Sequence, residues 1–144
     1  MTIQTLGTRG TSPNNHEGRS GWTLERYFTT EVDSLSVVNA FYNPLTLTFD
    51  ASYYFANSGI STPDWFFINL GINDMFSYTT DDACNSAITA AISRMNEMIT
   101  SVKDASANIK IGVCLTIPPN HSQDAFGKAY GMGQTRKRYK KNNL

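Results

Sequence analysis

The chain has 144 residues, of which 40% are hydrophobic and 17% are charged, so its length and composition both indicate one ordinary globular domain. The formal net charge is zero, but five of the 12 basic residues lie between Arg136 and Lys141, which leaves seven basic against 12 acidic residues, a charge of −5, in positions 1–133. This acidic body argues against nucleic-acid binding, and the basic stretch is predicted to be a solvated helix face, with phosphate binding as the alternative.

Two cysteines, Cys84 and Cys114, are too few for a disulfide scaffold and lack the spacing of metal ligands. Because Cys114 lies within an apolar run, we expect it to be a buried free thiol. No apolar run is long enough to cross a bilayer, and the residues after Met1 do not form a signal peptide. We therefore predict no metal site and no membrane partner, and secretion or export to the periplasm would require a leader before Met1.

The N-terminal region predicts a weak strand, a long loop and a short helix. Thr2–Leu6 is weakly strand-like, and residues 7–21 form a loop rich in glycine, asparagine and serine that is long enough to be functional. Apolar residues at helical spacing predict a short helix over Trp22–Phe28. His16, within the loop, is predicted to bond to the backbone, and the alternatives are a catalytic base or a metal ligand.

The next segment is irregular until a short helix begins. Residues 29–48 show no period, and their aromatics Phe41 and Tyr42 are expected to pack onto the domain, with substrate contact as the alternative. Asp50 is expected to cap a helix that runs through Asn57 and buries Phe49, Tyr53 and Tyr54 on one face.

The centre of the chain is an apolar run, Trp65–Leu70, between Pro63 and Gly71. Its aromatic and β-branched residues predict a strand buried on both faces, as in a parallel sheet. Asn73 and Asp74 follow this strand directly, at the sheet end where open α/β proteins bind ligands. The alternative is that the polar pair only makes a turn.

The C-terminal half predicts a helix and a second strand of the same sheet. Thr79 and Asp82 form a helix start signal, and apolar residues at three- and four-residue steps extend the helix to Val102. Ile109–Ile117 is then a buried strand, which gives a right-handed βαβ unit. A glycine-rich loop over 118–134 contains His121, and a basic helix is predicted over 134–144.

Three stretches in this order resemble the SGNH hydrolases, also called GDSL-type esterases, and in particular their carbohydrate-esterase-like members. They are Gly71-Ile72-Asn73-Asp74; Leu6–Gly10 followed by His16–Thr23; and Asn43-Pro44 with Phe49-Asp50 and Tyr53-Tyr54. The resemblance implies a three-layer α/β fold of flavodoxin-like strand order with a parallel sheet. It also implies that the Asn73 side chain and the Gly21 N–H form the oxyanion hole, and that substrate is bound by Glu17, Arg19, Trp22 and Asp74.

The resemblance implies a serine esterase that cleaves O-acetyl esters of carbohydrate through an acyl-enzyme and needs no cofactor. Two of its motif blocks are not found. No Gly-Asp-Ser block is present, and Ser20 lies in Gly18–Trp22, which lacks the last glycine of a nucleophile elbow. No Asp-x-x-His block is present either, since residue 118 before His121 is proline.

We therefore expect residues 1–144 to be a single partial domain of this fold, incomplete at both ends and inactive by itself. The alternative is a non-catalytic carbohydrate-binding or structural module derived from the same fold. Aromatic side chains suited to sugar stacking exist for either case, at Trp22, Phe41, Tyr42, Tyr53 and Tyr54. The acyl group, the sugar and the oligomeric state are not predicted.

Overall fold

The structure is a computed structural model that describes residues 7–10, 15–116, 119, 121–130 and 133–140. These residues form a mixed α/β arrangement with a two-stranded antiparallel pair and a two-stranded parallel sheet. The predicted strand Thr2–Leu6 lies outside the described residues. The elements in chain order are a 3₁₀ turn at Glu25–Phe28, β1 Tyr42–Asn43, β2 Thr48–Phe49, α1 Ala51–Ser58, β3 Trp65–Ile68, a 3₁₀ turn at Asn73–Met75, α2 Asp81–Ala105, β4 Lys110–Val113, α3 Gln123–Tyr130 and α4 Arg136–Tyr139.

The parallel sheet and its crossover helix confirm the predicted strand–helix–strand unit. β3 pairs with β4 in parallel, with Trp65 opposite Lys110 and Ile68 opposite Val113. α2 joins the two strands, and its cap lies one residue later than predicted, because the side chain of Thr80, not Thr79, accepts the N–H of Ala83 at 3.2 Å.

Burial on both faces of β3 was a wrong prediction. Its side chains alternate in exposure, and Trp65 and Phe67 remain 51% and 68% exposed. Ile68 on the opposite face packs in the main core with Met98 and Val102 of α2. Among the described elements only this face of the sheet is covered, so alternation along the strand leaves the odd-numbered side chains in solvent. β4 likewise ends at Val113 rather than Ile117, and Cys114, predicted to be buried, is exposed.

The aromatic residues between the first 3₁₀ turn and α1 form the rest of the main core. Asp50 caps α1 as predicted, accepting the N–H of Tyr53 at 2.9 Å, and the helix ends at Gly59 in the left-handed region. The ring of Phe41 stacks on Tyr54 with centroids 4.0 Å apart and on Phe49 at 4.8 Å. The helix predicted over Trp22–Phe28 is reduced to the 3₁₀ turn.

A second, smaller core lies at the C-terminal side. The predicted loop over 118–134 contains α3, an unpredicted helix whose Phe126 is buried against Tyr139 and Met75. The predicted basic helix is the short α4, capped by Thr135, and residues 141–144 lie outside the described part. One side of α4 is packed, not solvated, because Tyr139 is buried and Arg138 pairs with Asp81 at 3.0 Å. Among the described helices, none is long and apolar enough to cross a membrane.

Candidate functional site

A cavity of about 350 Å³ lies along β3 and its carboxyl end. It is lined by residues 66–73 and by the segment 16–19 together with Trp22. Four side chains predicted to form the site line this single cavity: Glu17, Arg19, Trp22 and Asn73. Its other lining residues are mainly apolar: Tyr27, Phe41, Phe49 and Met98. The cavity has the form common to small-molecule sites, a mainly apolar concavity with a few polar groups.

Asn73 begins the 3₁₀ turn that follows β3 after residues 69–72, among which Gly71 adopts φ 105°. Such a φ suits glycine, so the chain turns sharply at this point. The side-chain Nδ2 of Asn73 donates to the carbonyl oxygen of Trp22 at 3.0 Å. This bond uses one of the two amide hydrogens and holds the amide in place at the cavity.

Asp74 and Gly21 lie beside the cavity without lining it. The Oδ1 atom of Asp74 accepts the N–H of Leu24 at 3.0 Å. Burial raises the pKa of Asp74 above its usual value, although the backbone N–H groups of Leu24, Asp74 and Gly71 act in the opposite direction. Gly21 is exposed at φ 75°, next to Trp22, whose carbonyl Asn73 binds. The long loop and the strand end are thus joined at the predicted oxyanion residues.

Glu17 is held by groups from three parts of the chain. Its Oε1 accepts the hydroxyl of Tyr54 at 2.7 Å and also the N–H of Thr8, while its backbone oxygen accepts the hydroxyl of Tyr27 at 3.1 Å. Burial raises the pKa of Tyr27 to about 12, and burial together with the bond to Glu17 raises the pKa of Tyr54 further. Both phenols therefore remain protonated donors at physiological pH.

Arg19 is a buried cation with its partners on the 33–38 loop. Its Nη1 donates to Asp33 Oδ2 at 3.1 Å and to the Val37 carbonyl at 3.0 Å, and its Nη2 donates to the Val38 carbonyl at 2.9 Å. The guanidinium also lies 4.7 Å from the centre of the Trp22 ring. This arrangement fixes Arg19 from one side by ion pairing and from another by a cation–π contact.

Asp33 is the residue that sequence reasoning missed at this site. Its Oδ2 atom forms ion pairs with Arg9 Nη1, at 2.5 Å, and with Arg19 Nη1, at 3.1 Å. Burial opposes its ionisation, but the N–H groups of Val37 and Leu35 and the two guanidinium groups outweigh burial and lower the pKa of Asp33. The Asp-Ser-Leu-Ser stretch at 33–36 carries an Asx-turn signal, but nothing local indicated a partner 14 positions away.

The two histidines have different positions. His16 lines the cavity, and its Nδ1 accepts the N–H of Gly18 at 3.0 Å, which confirms the predicted bond to the backbone. With Nδ1 accepting, the neutral ring carries its proton on Nε2. His121 and Ser20 are exposed and do not line the cavity.

No serine, threonine or cysteine is among the described lining residues, and no group of potential metal ligands occurs in the described part of the chain.

Three of the five aromatics named as suited to sugar stacking are buried, and the burial of Phe41 confirms its expected packing onto the domain. Trp22, Phe41 and Tyr54 belong to the core, whereas Tyr42 and Tyr53 are half-buried. Aromatic rings pack on one another here because the short strands leave side chains to fill the interior.

Comparison with known proteins found no match: no protein-family model, no curated protein and no solved structure matches this chain.

Proposed function

We propose that the cavity beside β3 belongs to a serine esterase of the SGNH type, and that the segment carries its oxyanion hole and part of its substrate pocket. The observation that carries the proposal is the position of Asn73, which lines the cavity at the carboxyl end of β3 with Glu17, Arg19 and Trp22. In this proposal the fold is three-layered and flavodoxin-like, and the attacking serine is not among the described lining residues of the cavity.

The chemistry follows from the amide of Asn73. A serine oxygen attacks the ester carbonyl, a histidine takes the serine proton, and the carbonyl oxygen becomes an oxyanion. One Nδ2 hydrogen of Asn73 is bound by the Trp22 carbonyl at 3.0 Å, which orients the second hydrogen for the oxyanion. The Gly21 N–H is the second donor. A donor held in advance needs no reorganisation during the reaction, so it stabilises the transition state more than the substrate.

The substrate in this proposal is a small acyl ester of carbohydrate. The apolar lining residues Tyr27, Phe41 and Met98 accommodate the acyl group, and the polar lining residues Glu17 and Arg19 accommodate hydroxyl groups. No metal or organic cofactor takes part in this mechanism.

The test uses the longest natural polypeptide that contains these residues, with 4-nitrophenyl acetate and partly acetylated xylo-oligosaccharides as substrates. Asn73→Ala is expected to lower kcat by about 10²–10³-fold, the usual loss for one oxyanion donor. The control is Asn57→Ala, because the Nδ2 of exposed Asn57 also donates to a backbone carbonyl, that of Tyr53 at 2.9 Å, but away from the cavity. Equal kcat values for both variants would remove Asn73 from the oxyanion hole.

A second candidate is a non-catalytic carbohydrate-binding module. The observation in its favour is the exposed aromatic pair on β3: the rings of Trp65 and Phe67 are parallel within 8°, with centroids 5.6 Å apart, and Lys110 Nζ lies 5.4 Å from the centre of the Trp65 ring. Aromatic faces in solvent bind the apolar faces of sugars. If the natural polypeptide releases no acetate but is retarded by soluble xylan in affinity electrophoresis, this candidate replaces the esterase.

A further inference from the structure

We propose that Glu17 and Arg19 form a subsite for one uncharged hydroxyl group of the ligand, so that the cavity selects esters of polyols over esters of simple alcohols. The ester part of this statement rests on the function proposed above, whereas the hydroxyl part rests on two buried polar atoms. Arg19 Nε and Glu17 Oε2 are both buried and have no hydrogen-bond partner among the described residues, and both residues line the cavity.

The unpartnered Nε–H of Arg19 is unusual because each of the other two guanidinium nitrogens has a hydrogen-bond acceptor. Nη1 and Nη2 make three hydrogen bonds to Asp33, Val37 and Val38, and the side chain is 0% exposed. A buried N–H without an acceptor costs free energy, so proteins rarely leave one unless a ligand or water completes it. The bonds to the 33–38 loop also prevent the side chain from turning to find another acceptor.

Glu17 supplies the complementary acceptor. Its Oε1 is occupied by the Tyr54 hydroxyl at 2.7 Å, whereas its Oε2 lies 3.8 Å from Arg19 Nη2, which is too far for a hydrogen bond. The guanidinium nitrogens are held in one rigid plane, so the free Nε–H and the free carboxylate oxygen belong to one neighbourhood of the cavity wall. The proposal places this donor and this acceptor together at the cavity.

The chemistry of this pair selects a hydroxyl group. A hydroxyl can accept from Arg19 Nε and donate to Glu17 Oε2 at the same time. A phosphate or carboxylate would pair with Arg19 but be repelled by Glu17. An ammonium group would pair with Glu17 but be repelled by Arg19. An alkyl group would leave both polar atoms unpaired. Water also satisfies the pair, so the ligand hydroxyl takes the place of a water molecule.

The subsite lies close to the proposed reaction centre. Trp22 contacts Arg19 through its ring, at 4.7 Å, and Asn73 through its carbonyl oxygen, at 3.0 Å. The proposal assigns the hydroxyl bound by Glu17 and Arg19 to the alcohol part of the ester. Monoacylated sugars and other monoacylated polyols carry such a free hydroxyl in the alcohol part of the ester.

The experiment compares two esters of equal size, 2-hydroxyethyl acetate and n-propyl acetate, by titration into the ¹⁵N-labelled chain with NMR detection. In the wild-type chain we expect the hydroxy ester to bind about tenfold more tightly, because the propyl methyl group leaves the buried pair unsatisfied. In Glu17→Gln the amide keeps an oxygen for Tyr54 but replaces the free acceptor with a donor, so the preference should fall to about one. Glu97→Gln is the control, since Glu97 is exposed and pairs with Arg94 at 2.7 Å.

The outcomes separate this inference from the proposed function. Equal affinities for the two esters in the wild-type chain overturn the hydroxyl subsite and leave the esterase proposal standing, and this comparison needs no variant to fold. A preference that persists in Glu17→Gln assigns the hydroxyl to another place and also overturns the inference. A hydroxyl preference that is lost in Glu17→Gln, together with unchanged turnover in Asn73→Ala, keeps the subsite and removes Asn73 from the oxyanion hole. No saturable binding of either ester overturns the subsite, and the esterase is then decided by the turnover of Asn73→Ala alone.

Discussion

Replacing Asp74 separates the role of its hydrogen bond from the cost of its charge. Its Oδ1 accepts the N–H of Leu24 at 3.0 Å, which joins the end of β3 to the first 3₁₀ turn. Burial raises the pKa of Asp74 above the ordinary value of 3.8, so the folded protein holds this proton more tightly than the unfolded chain does. The stability linked to this group is therefore fully present below pH 3.8 and is lost as the pH rises through the raised pKa.

The two substitutions at this position have opposite expected effects. Asp74→Ala removes the acceptor of a buried N–H, since Leu24 is 2% exposed, and should cost about 1–3 kcal/mol. Asp74→Asn keeps an oxygen for Leu24 and carries no charge. We expect it to be at least as stable as the wild-type protein at pH 7, with any gain disappearing towards pH 4, where the wild-type carboxyl becomes protonated.

The assay is urea unfolding of the three proteins between pH 4 and pH 8, with the free energy of unfolding taken at constant m value. Asp64→Asn is the matched control because Asp64 is exposed beside β3. If Asp74→Asn is destabilised at pH 7 as much as Asp74→Ala, the negative charge itself supports the fold, and the reasoning from burial is refuted.

Two further predictions concern burial. Phe41→Ala should lower the free energy of unfolding by about 3–5 kcal/mol, because Phe41 is 3% exposed and its ring stacks on two others. Phe67→Ala is the control and should cost much less, since Phe67 is 68% exposed. Similar losses in the two variants would contradict the assignment of Phe41 to the core. In the native protein a thiol reagent should modify exposed Cys114 quickly and buried Cys84 only on unfolding, and two rapidly reacting thiols would show that Cys84 is accessible.

The elements predicted correctly are those whose signals lie within a few residues of one another. The Asp50 cap and the spacing of its neighbours predicted α1, and the three- and four-residue steps of apolar side chains predicted α2. The two apolar runs predicted the parallel strands β3 and β4, although both proved shorter. Hydrogen bonds in a helix turn or at a cap involve positions close in sequence, so residue type alone is informative.

The candidate site depended partly on sequence and partly on the fold. The position of Asn73 at the end of a strand followed from the Trp65–Leu70 run and Gly71. Its contact with the carbonyl of Trp22, 51 positions away, required the folded chain, as did the pair of Arg19 with Asp33. These contacts join segments whose relative positions are set by packing, and no local pattern encodes such positions.

By itself the sequence determined the order and type of the main elements, and it placed four polar and aromatic residues that line one cavity. Only the tertiary structure decided which faces are covered: Phe67 and Cys114 lie in apolar runs yet remain exposed, and Phe126 is buried although it lies in a stretch predicted as a loop. The physical reason is that burial depends on which other elements pack against a residue. Local periodicity shows that an apolar face exists, but the element that covers it is chosen by the packing of distant segments.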